Sequence, residues 1–150
     1  PEKLIPLMIS KGMRGESLPV YGEGLNRRDW LHVDDHAEAL ILVAARGALG
    51  QTYNIGGDAE RTNLDVVKTI CAALDRRIPD RAPHERLITF VQDRPGHDFR
   101  YAVDASRLKR ELGWQPSRSF DEGLLSTVDW YLDHADYFKD QDALERRGHP

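Results

Sequence analysis

A single cysteine, no long apolar run and no excess of one charge limit what this 150-residue chain can be. Cys71 alone allows neither an internal disulfide nor a multi-cysteine zinc site, and it suits a reducing cytoplasm. The longest apolar run, residues 39–45, is far below the ~18 residues that suggest a membrane span, so no membrane role is expected. With 21 Lys plus Arg against 25 Asp plus Glu, the net charge is -4. Such a chain has no global field to attract nucleic acid, and any phosphate it binds must be met by a few local arginines.

Several catalytic signatures are also missing. A dinucleotide-binding turn needs glycines at a strand-to-helix corner, where the backbone approaches a pyrophosphate at a helix N-terminus. Gly22-x-Gly24 instead puts Arg27 where the third glycine belongs and runs into an extended stretch, and Gly56-Gly57 has no such continuation. None of the five tyrosines is followed four residues later by a lysine, and there is no Gly-x-Ser-x-Gly elbow. His32 and His36 flank Asp34 and Asp35, but a strand-to-helix switch between them would point the two rings apart, so no metal site is expected. The first residues, Pro1-Glu2-Lys3, include no initiator methionine and no secretory leader pattern, so a piece of something longer is expected.

What is present is the composition of a soluble globular protein: 40% hydrophobic and 31% charged residues, interspersed, in a length that can bury a core. Residues 3–13 read as a helix with Pro6 in its first turn, closed by Gly12 and Gly15. Residues 18–21 and 29–33 read as extended. From Asp34, which with Asp35 is a candidate cap, Ala37, Leu40, Ile41 and Ala44 fall on one face of an amphipathic helix. Residues 52–55 read as a strand. Thr62-x-x-Asp65 opens a helix that buries Val66, Val67, Ile70 and Leu74, with Cys71 packed beside them as a small apolar residue. A strand at residues 88–91 follows. Asp104 caps a short helix that ends at Gly113, and Ser119-x-x-Glu122 opens a last helix with Phe120, Leu124, Val128 and Tyr131 on its buried side. Strands alternating with helices make the fold class α/β, locally α+β.

Two arginines stand out on loops. Arg28, in Arg28-Asp29-Trp30, and Arg94, in Asp93-Arg94-Pro95-Gly96-His97, can each offer a planar fork to a phosphate, or form ordinary surface ion pairs.

The runs Leu18-Pro19-Val20-Tyr21-Gly22, Arg28-Asp29-Trp30-Leu31-His32-Val33 and Tyr53-Asn54-Ile55-Gly56-Gly57 resemble the C-terminal half of extended short-chain dehydrogenases/reductases. The segments Asp93-Arg94-Pro95-Gly96-His97-Asp98, Arg100-Tyr101-Ala102-Val103-Asp104 and Glu111-Leu112-Gly113-Trp114-Gln115-Pro116 resemble more specifically the dTDP-glucose 4,6-dehydratase family. The resemblance implies an enzyme that oxidises a sugar at C4 with NAD, eliminates water across C5 and C6, and returns the hydride to C6. It assigns the NAD turn and the catalytic groups to an N-terminal half that this sequence does not contain, so no catalytic residue and no cofactor of its own is expected here. Residues 1–134 are expected to be the nucleotide-sugar-binding domain and 135–150 a polar, frayed tail.

By the same resemblance, Lys3 and Leu4 lie near the ribose and diphosphate, and Pro19, Val20 and Tyr21 line the thymine pocket. Arg28 holds the diphosphate, Asn63 donates to the nucleotide, and Asp93, Arg94, Pro95, Gly96 and His97 form a lid. Arg27 departs from the apolar residue common at its position in the family, and so adds charge at the phosphate or faces solvent. The implied partners are a dTDP-sugar, the NAD-binding half and, for the intact enzyme, a second copy, all in the cytoplasm. A sugar-nucleotide 4-epimerase fragment and a non-catalytic nucleotide-sugar-binding module are the alternatives. The helix after Asp34 and residues 52–55 are expected to pack on the NAD-binding half, leaving apolar faces exposed without it.

Overall fold

Side-chain caps and left-handed glycines set half of the α-helix ends in the computed structural model, which describes residues 3–138. Helix α1 (Leu4–Arg14) ends at Gly15, whose φ of 71° suits glycine. Pro6 falls in its first turn, where no N–H is needed. Helix α3 (Asn63–Arg77) has the full capping box: Asp65 N–H donates to Thr62 Oγ1 at 3.1 Å and Thr62 N–H to Asp65 Oδ2 at 3.4 Å. Ser119 and Glu122 do the same for α5 (Phe120–Asp133). The short α4 (Ser106–Leu112) takes a bond from Ser106 N–H to Asp104 Oδ1 at its start and ends at Gly113.

Two small sheets hold these helices. Strand β1 (Leu18–Tyr21) runs parallel to β4 (Ile88–Val91), with Val20 opposite Phe90. Strand β2 (Arg27–Asp29) runs antiparallel to β3 (Glu60–Thr62), with Arg28 opposite Arg61. Beside β2 the backbone of Arg27 also exchanges bonds with Phe99 and Tyr101, which brings residues 99–101 against it.

The main core joins α1, β1, α3 and α5 through Met8, Ile9, Leu18, Val20, Val66, Val67, Ile70, Leu74, Leu124 and Val128. Cys71 is fully buried there, and burial pushes its thiol up to about 12, so it has no thiolate character at neutral pH. A second cluster joins α2 (Val33–Arg46) to α4 through Ala39, Leu108 and Trp114. Among the described residues no helix is long and apolar enough to cross a membrane.

Several expectations change. Gly12 lies inside α1, where a Cβ would come within 2.4 Å of Leu74 Cδ1, so it serves close packing of α1 on α3 and not helix termination. The extended stretch expected at 29–33 shares only Asp29 with β2, which lies earlier, and Val33 already begins α2; the ring of His32, and neither Asp34 nor Asp35, caps that helix by accepting from Asp34 N–H at 3.3 Å. Residues 52–55 form no strand, since no neighbouring strand pairs with them; Tyr53 and Ile55 pack on the second cluster instead. The face of α2 carrying Ala37, Leu40, Ile41 and Ala44 is exposed, in keeping with the expectation for this helix, while Asp35 and Ala39 are the buried positions. Beyond residue 134, Phe138 returns to the main core with 4% exposure, stacked on Tyr131, so packing passes the boundary that composition suggested. The rest of the expected tail, 139–150, lies outside the described residues.

Candidate functional site

The start of α1, the strands β1 and β2, the start of α3 and the 94–98 turn surround one open cleft of about 870 Å³. That volume suits a drug-sized or nucleotide-sized ligand. A second hollow beside Trp30 and Phe120, about 60 Å³, is too small for one.

Lys3, Leu4, Pro19, Val20, Tyr21, Arg28, Asn63, Arg94, Pro95, Gly96 and His97 all line the large cleft. The fold brings them together from five separate stretches of chain. Asn63 is placed because its N–H donates to Asn26 O and Leu64 N–H donates to Gly24 O, tying the first turn of α3 to the 22–26 turn. Gly24 there has a φ of 73°, and a Cβ would meet Val20 and Leu64. Asp93 alone of the expected residues does not line the cleft.

Lys3, Arg28 and Arg94 bring positive charge to the cleft, which Asp29 and Asp98 also line. Lys3, Arg28 and Arg94 form no ion pair with a carboxylate among the described residues. Helix α1 has no side-chain cap and no acid in its first turn, which leaves its N-terminal end open to an anion. Arg94 lies over the ring of Tyr21 at 5.2 Å, and His97 meets the same ring edge-on at 6.1 Å. Arg27, by contrast, turns to Glu60 at 3.6 Å and adds no charge to the cleft.

Arg28 does not present a wholly open fork. Its Nη1 donates to Arg27 O at 2.7 Å and Phe99 O at 3.4 Å, and its Nη2 donates to Asp98 O at 2.9 Å and approaches His97 Nε2 at 3.1 Å. Its guanidinium lies 4.6 Å from the Tyr101 ring centroid. The phenol of Tyr101 donates to the Asp98 carboxylate, which pushes its own pKa up. His97 is nearly buried, and its Nδ1 is 2.6 Å from Asp93 Oδ1. That bond holds the Asp93 carboxyl below the ordinary carboxylate range.

Four contributors escape the sequence reading. Tyr101 and Asp98 reach Arg28 only because residues 99–101 pair beside β2. Asn26 is 5% exposed and donates to Asp98 O at 3.4 Å. Asp29 accepts from Gly57 and Ala59 N–H at 2.8 and 2.9 Å, holding the 56–59 loop against Trp30. A long-range pairing of polar segments leaves no local pattern; the Asp29, Asp98 and Tyr101 positions fall within the quoted runs but carry no motif role there. Among the described residues no group of three or more His, Cys, Asp or Glu side chains could hold a metal ion.

Comparison with known proteins adds a family. The family model described as GDP-mannose 4,6 dehydratase matches residues 1–127. The dTDP-glucose 4,6-dehydratase of Neisseria gonorrhoeae is 59% identical over 138 residues, which cover 89% of this chain and 40% of that enzyme. The structure of dTDP-glucose 4,6-dehydratase from Bacillus anthracis, in complex with NAD, superposes with a TM-score of 0.84 at 44% identity, covering 93% of this chain and 42% of that one. The enzyme of the same name from Streptomyces venezuelae, also with NAD bound, gives 0.83 at 40% identity, covering 91% and 40%. The chain thus spans about 40% of the length of the curated relatives it matches.

Proposed function

Since this chain belongs to the family described as GDP-mannose 4,6 dehydratase, we propose that it is the nucleotide-sugar-binding part of a dTDP-glucose 4,6-dehydratase. The observation that carries the reading is the cleft itself: three cations without acidic partners among the described residues, lined beside Tyr21 and the Asp93-Arg94-Pro95-Gly96-His97 turn. Relatives at 52 to 59% identity bear that enzyme's name, which favours it over a 4-epimerase.

In this reading the diphosphate lies among Lys3, Arg28, Arg94 and the open end of α1, where charge-assisted bonds outweigh the loss of phosphate hydration. The base stacks on or beside Tyr21, next to Pro19 and Val20. Asn63 donates to the nucleotide from the first turn of α3. Arg28 meets the diphosphate with its charge and its Nε–H, while its two other nitrogens hold the 97–99 segment. These residues bind and orient the substrate and exclude water from it.

The described residues do not fit NAD. Both sheets have only two strands, and the 22–24 turn leads from β1 into β2 with no helix behind it to take a pyrophosphate. Redox chemistry therefore belongs to a dinucleotide-binding part supplied outside this sequence. That part covers the exposed face of α2, where Val33, Leu40 and Ile41 are 72%, 52% and 69% exposed. A cytoplasmic location and pairing of two whole enzymes belong to the same proposal.

The test is the product made from dTDP-glucose. A protein joining this sequence to its dinucleotide-binding part forms the 4-keto-6-deoxy sugar, and this chain alone with added NAD forms nothing. Formation of dTDP-galactose by the joined protein would contradict the dehydratase reading, and turnover by the chain alone would contradict the division of labour.

A further inference from the structure

We propose that Asp93 is a positioning residue that acts through His97 to fix the orientation of the Arg28 guanidinium. The proposal rests on the nucleotide-binding reading for its consequence, but its geometry stands without it. Asp93 does not line the cleft. Its Oδ1 accepts instead from Arg94 N–H at 2.8 Å, which closes the turn, and lies 2.6 Å from His97 Nδ1. The other ring nitrogen, Nε2, lies 3.1 Å from Arg28 Nη2.

Asn26 Nδ2 also lies 3.4 Å from His97 Nδ1, farther than the 2.6 Å to Asp93, so the chemistry of the two nearer neighbours decides the arrangement. An ionised carboxylate only accepts and a guanidinium only donates. His97 must therefore carry its proton on Nδ1, donate it to Asp93, and accept from Arg28 with Nε2. A doubly protonated ring would set two donors and two positive charges against each other at the Arg28 end. The ring has little room to escape this role: its side chain is 7% exposed and the Tyr21 ring meets it edge-on.

Arg28 is thereby held from two sides in matching fashion. Asp93 anchors the imidazole that meets the edge of the guanidinium, and Asp98 anchors the phenol of Tyr101 that lies against its face. Two carboxylates outside the ion-pair role thus fix one cation without neutralising it, because each is spent on an aromatic ring. A cation held in place before the ligand arrives loses less freedom on binding.

The experiment combines nitrogen-15 imidazole NMR of the full chain with dTDP titration. In the wild type His97 shows the neutral form protonated at Nδ1. Asp93→Ala shifts the ring toward the form protonated at Nε2, and weakens dTDP binding about tenfold, the worth of one charge-assisted hydrogen bond. Asp93→Asn, which keeps an acceptor for the Arg94 N–H and so preserves the turn, gives a mixture of the two forms and an intermediate affinity. In the His97→Ala background, Asp93→Asn, which leaves the Arg94 N–H bonded, causes no further loss, because its route to Arg28 is already cut. A wild-type ring protonated at Nε2, or additive losses in the double variant, would overturn the proposal. A wild type with the Nδ1 form that binds no dTDP would overturn the nucleotide reading while supporting the Asp93–His97–Arg28 arrangement.

Discussion

Arg28 donates to three carbonyl groups, approaches one imidazole and lies against one phenol ring, so its position depends on residues 97–101 as much as on its own strand. Trp30, two residues on, fixes the other wall. Its N–H donates to Ala59 O at 3.3 Å, and its carbonyl lies so close to Gly57 that a Cβ there would come within 2.0 Å of the oxygen. Only glycine permits that approach of two backbones. Gly57→Ala is expected to destabilise the chain by about 2 kcal/mol or more, because backbone and not a flexible side chain has to move. Urea denaturation checks this, and an unchanged midpoint would mean that the 56–59 loop relaxes freely.

At the scale of elements, Asp35 joins the start of α2 to the loop before α5. Its Oδ1 accepts from Ser117 N–H at 3.1 Å, Ser117 Oγ–H at 2.6 Å and Arg118 Nη1 at 3.3 Å, in a position 1% exposed. Burial opposes its charge, but the Ser117 bonds and Arg118 outweigh burial and hold the carboxyl below its ordinary value. A carboxylate whose pKa is lower folded than unfolded contributes stability that is present above its unfolded pKa of about 3.9 and is lost as pH falls through the folded value. Asp35→Asn should therefore lower stability at pH 7 and narrow its gap to the wild type as the medium is acidified below about pH 4. Urea midpoints measured across that range check the sign; curves that stay parallel would mean that folding does not lower the Asp35 pKa.

How much of this was legible depended on whether a pattern was local. Strands β1 and β4 and the capping boxes of α3 and α5 stand in the sequence as short runs with their own physical reason. Strand β3, Glu-Arg-Thr, has no apolar signal, and it pairs only because β2 lies beside it. The apolar stripe of α2 was legible as periodicity, and its exposure agrees with the expectation drawn from the family resemblance, because periodicity alone reports a face and not what covers it. Likewise the cleft residues grouped in motifs were found, whereas Asn26, Asp29, Asp98 and Tyr101 act through contacts that only the folded chain creates.

At the scale of the whole molecule, the stripe of Val33, Leu40 and Ile41 on α2 is an apolar surface without a described neighbour. Leu40→Asp with Ile41→Asp should reduce self-association of the chain in size-exclusion chromatography and leave its nucleotide affinity intact, because neither residue lines the cleft. A wild-type chain that elutes as a monomer at every concentration would contradict this. In the proposed function the cleft binds a nucleoside diphosphate through Lys3, Arg28 and Arg94, which pair with no carboxylate among the described residues. Isothermal titration of the chain with dTDP tests it most directly. Saturable one-to-one binding is expected, weakening at least tenfold in Arg28→Ala and in Arg94→Ala. Absence of binding by a folded wild type, or binding undiminished in both variants, would contradict it.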